Sequence, residues 1–105
     1  MTRTRLPDRR PSLTMQLVYE ANTYAVTLGF DVANERVGEV FTHGAKIGSA
    51  MDRMLDDICV ALSLLLQHGV LPDALASSMG RLGDGASPAS IIGALADLIA
   101  KEPQT

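Results

Sequence analysis

Hydrophobic and polar positions change their period partway along this chain. In "SLTMQLVYE", Leu13, Met15, Leu17 and Tyr19 alternate with Thr14, Gln16, Val18 and Glu20. A period of two sends alternate side chains to opposite faces of a strand, so the stretch predicts a half-buried β-strand. "TYAVTLGFD" alternates again, with Tyr24, Val26, Leu28 and Phe30 on one side. Ala21 and Asn22 alone separate the two runs. That is too short for a crossover, so an antiparallel hairpin is expected, with Asn22 taking the positive φ of its turn. "VANER" reads as a second turn, and "VGEVFTHG" as a third, shorter strand ending at Gly44.

Beyond Gly44 the period becomes helical. Met51, Met54, Leu55, Ile58, Leu62, Leu65 and Leu66 recur at spacings of three and four, a continuous stripe. Ser49 is placed to cap this helix, and Asp52 stands three residues later, close to a capping box. Val60, Ala61 and Leu64 make its second half apolar nearly all round. A helix of that kind is buried on more than one side, and a second copy can supply part of the cover. A homodimer through this helix is therefore expected. Gly69 is the expected left-handed cap, with His68 in the last turn. Pro72 suits the first position of a short helix, "PDALASSM", stopped by Gly80. After the loop "GRLGDGA", Ser87 is expected to cap and Pro88 to open a last helix. Ile91, Ile92, Leu95, Leu98 and Ile99 form its stripe, with Lys101 paired to Asp97 one turn back. The predicted fold is α+β: a three-stranded antiparallel meander followed by three helices packed on one sheet face.

Composition narrows the function classes. A chain of 105 residues reads as one domain, here residues 12–101, with a basic disordered tail over 1–11 and a short tail over 102–105. The first segment holds Arg3, Arg5, Arg9 and Arg10 against Asp8, while the chain as a whole carries −3. Such a tail docks on phosphates or acidic protein, or simply solubilises. With two Tyr, two Phe and no Trp, the core must be aliphatic. Platforms for stacking bases are lacking too, so nucleic acid is not an expected partner. Cys59 is the only cysteine, which excludes an intramolecular disulfide and a cysteine-built zinc site. The N-terminus lacks an apolar secretory core, and the run "ICVALSLLL" is about half of what a bilayer span needs. A cytoplasmic protein without a membrane partner is expected.

Candidate chemistry is sparse. "GAKIGS" opens a helix, where backbone amides attract anions. Gly44, Lys46, Gly48 and Ser49 are its candidate anion-binding residues. A true phosphate loop needs the lysine directly before the hydroxyl residue, and Lys46 lies two residues before Gly48, so a tight strand-to-helix turn explains the stretch as well. Gly83, Gly85 and Ser87 form a second candidate nest, with a flexible connector as the plainer reading. Asp52 and Asp56 stack one turn apart as a hard-metal pair would. Acid in the first turn also suits the helix dipole, and Arg53 is placed to pair with Asp57. His43 and His68 are too far apart to suggest a pair. Cys59 beside the stripe reads as packing. No catalytic residue, metal site or cofactor is assigned.

The meander running into "GSAMDRMLDDICVALSLLLQHGVLPDALASSMGRL" and then "GASPAS" resembles the TSCPD domain. That domain stands at the C-terminal end of adenosylcobalamin-dependent, class II ribonucleotide reductases and also occurs as short separate bacterial proteins. The likeness covers roughly residues 12–100. It rests on Gly48-Ser49 at a helix start, on "LSLLLQHGV", and on the last helix after a glycine. The family's Thr-Ser-Cys-Pro-Asp run is replaced by "GASPA", with Ser87 for the Cys and Ala89 for the Asp. Any thiol or metal role of that run is therefore lost here. The reductase barrel, its active-site cysteines and its cobalamin site have no counterpart in 105 residues. The resemblance implies an accessory module of deoxyribonucleotide synthesis that contacts the reductase, another cytoplasmic protein or nucleotides, and does not itself turn over substrate. Two alternatives stay open: a small nucleotide- or phosphate-binding protein using the glycine loops, and a ligand-free homo-oligomeric structural module.

Overall fold

The computed structural model describes residue 3 and residues 5–33 and 35–102. Strands β1 (Ser12–Tyr19), β2 (Asn22–Asp31) and β3 (Arg36–His43) form one antiparallel sheet in the order β1-β2-β3. Helices α1 (Ala50–Gln67), α2 (Pro72–Ser78) and α3 (Ile91–Lys101) follow. The α+β order read from the sequence is the observed one. α1 packs against β3 and α3 against β1, while α2 packs on α3 and reaches the core through Leu75. The core is aliphatic, with Val26, Leu28, Val37 and Val40 from the sheet meeting Leu62, Leu66, Leu95 and Ile99 from the helices.

The hairpin closes one residue earlier than its sequence suggests. Glu20 and Ala21 are the turn residues, at φ 48° and 64°, and Asn22 already pairs with Tyr19. Two positive φ values in a two-residue loop match the right-handed twist of the strands, and that geometric demand overrides the preference of asparagine. The second hairpin carries a bulge at Gly29/Phe30. Glu39 lies over Gly29 so closely that any Cβ there would collide with its carboxylate.

Several side chains choose partners other than those expected. In α1 the buried line is Leu55, Cys59, Leu62 and Leu66, and Met51, Met54 and Leu65 are exposed on its flank. The stripe is thus narrower than its spacing implied, because the sheet covers only one side of the helix. Ser49 does cap α1, accepting from the Asp52 amide at 3.1 Å. Gly69, at φ 94°, closes the helix as a Schellman motif, with Val70 N donating to Leu65 O and Gly69 N to Leu66 O. Arg53 does not pair with Asp57 but turns back to the Gly48 carbonyl. Helix α3 begins three residues later than expected, with Ser90 rather than Ser87 as its cap. Asp97 is held not by Lys101 but by both Nη atoms of Arg81, at 2.5 and 2.7 Å. A guanidinium arriving from the loop offers two parallel bonds, which a lysine one turn away on the same helix cannot match.

The stretch expected as a tail, over 1–11, makes contacts where it is described. Arg10 pairs with Glu39, Leu6 lies against Gly38, and Arg3 Nε donates to Gln67 Oε1 at 2.6 Å.

A candidate binding groove between the third strand and the long helix

Helix α1 does more than cover the sheet. It runs along the outer edge of β3, where among the described residues the sheet has no further strand. Ser63 Oγ accepts from Val40 N at 3.0 Å, and Gln67 Nε2 donates to Gly38 O at 3.0 Å. Ser63 and Gln67 are one turn apart, so one helix face serves two positions of the strand edge. Neither stood out in the sequence, where they read as polar breaks in an apolar run. The signal lay in their spacing of four beside the buried stripe. Thr42 Oγ1 meets Cys59 Sγ at 3.5 Å on the same face. Burial pushes the Cys59 thiol above its ordinary pKa, a shift the Thr42 hydrogen bond opposes. The thiol is thereby kept in its unreactive protonated form.

Above this seam lies a groove of about 420 Å³, bounded by the Glu39–His43 segment of β3, by α1 and by Arg3. Phe41, Val60 and Leu64 supply its apolar surface, and Val60 remains 58% and Leu64 36% exposed. Arg3, His43 and Asp56 bring charged or titratable groups to it. The groove can therefore take an apolar side chain between polar ends.

Neither glycine loop lines this groove. Around Gly44, Lys46, Gly48 and Ser49, the amide of Gly48 is taken at 2.9 Å by the Asp52 carboxylate. The Ser49 hydroxyl is taken up by its capping bond to Asp52 N. Lys46 is exposed. Around Gly83, Gly85 and Ser87, the Asp84 carboxylate accepts from Ala86 N at 2.9 Å, Ser87 N at 2.8 Å and the Ser87 hydroxyl. These bonds, the Ser87 hydroxyl first, lower the Asp84 carboxyl from its ordinary 3.8 to about 2. Each loop thus carries its own carboxylate in the place where an outside anion would sit. Arg81 secures the second loop by donating also to Ala76 O and Ala86 O. The hydrogen bonds Leu82 N to Ser87 O and Ala89 N to Gly80 O close its neck. Among the described residues, no group of three or more His, Cys, Asp or Glu side chains is gathered as a metal site. Among them also, no helix is long and apolar enough to cross a membrane.

What the fold and groove define is a small α+β domain with a partly apolar groove between β3 and α1 and with glycine loops whose amides are bonded by their own acids. The TSCPD domain model matches residues 2–102, essentially the whole chain, and the chain belongs to that family, a ribonucleotide-reductase-associated domain. No curated protein and no solved structure matches it.

Proposed function

We infer that this protein is an accessory binding module of deoxyribonucleotide synthesis in the cytoplasm, acting by docking rather than by turnover. Its partner on this reading is the adenosylcobalamin-dependent ribonucleotide reductase, to which the family is kin. The groove between β3 and α1 carries the reading, because it sets exposed Phe41, Val60 and Leu64 beside Arg3, His43 and Asp56. An apolar floor with polar ends seats one side chain of a protein segment and fixes its direction. The nucleotide-binding alternative is weaker, since a phosphate would have to displace Asp52 or Asp84 from amides already bonded.

Calorimetric titration of the purified chain into a purified class II reductase tests the reading. Binding is expected, and Leu64→Glu should weaken it about tenfold or more, equivalent to about 1.4 kcal/mol. Absence of binding, or equal binding by the variant, refutes it. Titration with nucleoside diphosphates gives the competing outcome.

A further inference from the structure

At the other edge of the sheet α3 packs on β1, but among the described residues no helix side chain bonds the β1 backbone as Ser63 and Gln67 bond that of β3. In the first hairpin, Tyr19 and Asn22 flank a two-residue turn, and Phe30 N donates to Pro11 O at 2.9 Å at the far end. The alternation of an antiparallel ladder then turns the backbone groups of Leu13, Met15, Leu17 and Tyr19 toward β2. Those of Ser12, Thr14, Gln16 and Val18 face outward. Among the described residues these four meet no backbone partner. The whole of "SLTMQLVY" carries no charge, proline or glycine, the devices by which exposed edges are normally blunted. The core is also thin on this side. Leu13 is 42% exposed, and Met15 and Leu17 are half-buried, whereas Val26 and Leu28 beside them are fully buried.

We propose that β1 is a dimerisation edge whose occupant is β1 of a second copy of this chain, added antiparallel across a two-fold axis through Met15. This register sets Thr14 opposite Gln16 and Ser12 opposite Val18, so all four outward-facing residues of each strand gain partners. On the helix-bearing face, Met15 meets its own copy and Leu13 meets Leu17, which covers the half-exposed side chains and continues the core across the axis. The absence of charge matters here. In this register a strand carrying one sign of charge would set it against itself across the axis, and an uncharged strand avoids that repulsion. At the ends of the strand the register brings the Arg9–Arg10 stretch of one chain alongside the turn holding Glu20 of the other, an attractive arrangement. The surface is distinct from the α1 groove, so a dimer leaves the groove free for its partner.

Sedimentation equilibrium of the full chain tests this. The wild type is expected at twice 11.2 kDa. Gln16→Pro removes an amide that points away from β2, so it should leave the hairpin intact and yield a monomer with an unchanged far-ultraviolet spectrum. A second pair of variants guards against misfolding and reads the register. Thr14→Lys with Gln16→Lys sets like charges opposite one another and should dissociate the dimer. Thr14→Lys with Gln16→Glu sets opposite charges there and should keep it. The proposal is overturned by a monomeric wild type, by a folded Gln16→Pro dimer, or by equal masses for the two charge variants. Dissociation by Leu64→Glu overturns it too, moving the interface to α1. The outcomes at β1 leave reductase binding untouched, whereas dissociation by Leu64→Glu would seat a second copy on the groove, and the titration then shows whether the reductase competes for it.

Discussion

The two edges of this three-stranded sheet solve the same problem in opposite ways. Along β3, Ser63 and Gln67 of α1 bond the outward backbone of Val40 and Gly38. Beneath them Leu55, Cys59, Leu62 and Leu66 seat the helix in the core. Along β1 the outward backbone meets no backbone partner among the described residues, and the apolar side chains nearest the edge are only partly covered. An unpaired buried amide or carbonyl costs more than a bond gains, so an edge beneath a helix must be satisfied by that helix. An edge left in water can wait for another chain. The comparison teaches that the backbone of one edge is satisfied from within the fold by helix side chains, while among the described residues the outward backbone of the other meets no such partner.

The largest test of that contrast is in the core. Leu62 is 2% exposed, and Leu62→Ala should cost about 2–5 kcal/mol in denaturant melts. Leu13→Ala on the β1 side should cost about 1 kcal/mol or less at protein concentrations low enough for the monomer. Equal losses would erase the difference between the edges. Next come the edge bonds themselves. Gln67→Ala strips the Gly38 carbonyl of its side-chain donor and should cost about 1–3 kcal/mol. Gln16→Ala should stay within about 0.5 kcal/mol. Thermal melts of both, at equal low concentration, decide it.

A smaller effect is expected at the turn that leads into β2. Ala21 sits at φ 64°, where a side chain is crowded, so Ala21→Gly should stabilise the chain by about 0.5–1 kcal/mol. A loss of stability would mean that the turn is not left-handed in solution. The smallest effect lies away from both edges and serves as their control. The Asp84 carboxyl is lowered to about 2 by its bonds to Ser87 and Ala86. A lowered folded pKa gives stability that is complete above the ordinary value of 3.8 and is lost as the pH falls toward 2. The wild type should therefore exceed Asp84→Asn in stability at neutral pH, and the gap should close on acidification through that window. A gap that does not change with pH would show that the carboxylate charge is not what closes the loop.

The sequence by itself determined the elements and their order. Alternation in "SLTMQLVYE" and "TYAVTLGFD", helical spacing from Met51 to Leu66, and punctuation by Ser49, Gly69 and Pro72 are local signals. They act through the period of the backbone and the few residues within one turn, so they can be read without knowing what lies across the core. Only the tertiary structure decided which polar group meets which. Asp97 takes Arg81 rather than Lys101, Ser90 displaces Ser87 as the cap of α3, and Ser63 and Gln67 turn out to serve the edge of β3. A side-chain hydrogen bond depends on atoms brought within about 3 Å by the packing of distant segments, and no periodicity in the chain encodes that distance. The same reason hides the groove. Leu64 stands out in the sequence only as surplus apolar surface on its helix and Phe41 not at all, and they become one surface only when α1 lies down along β3.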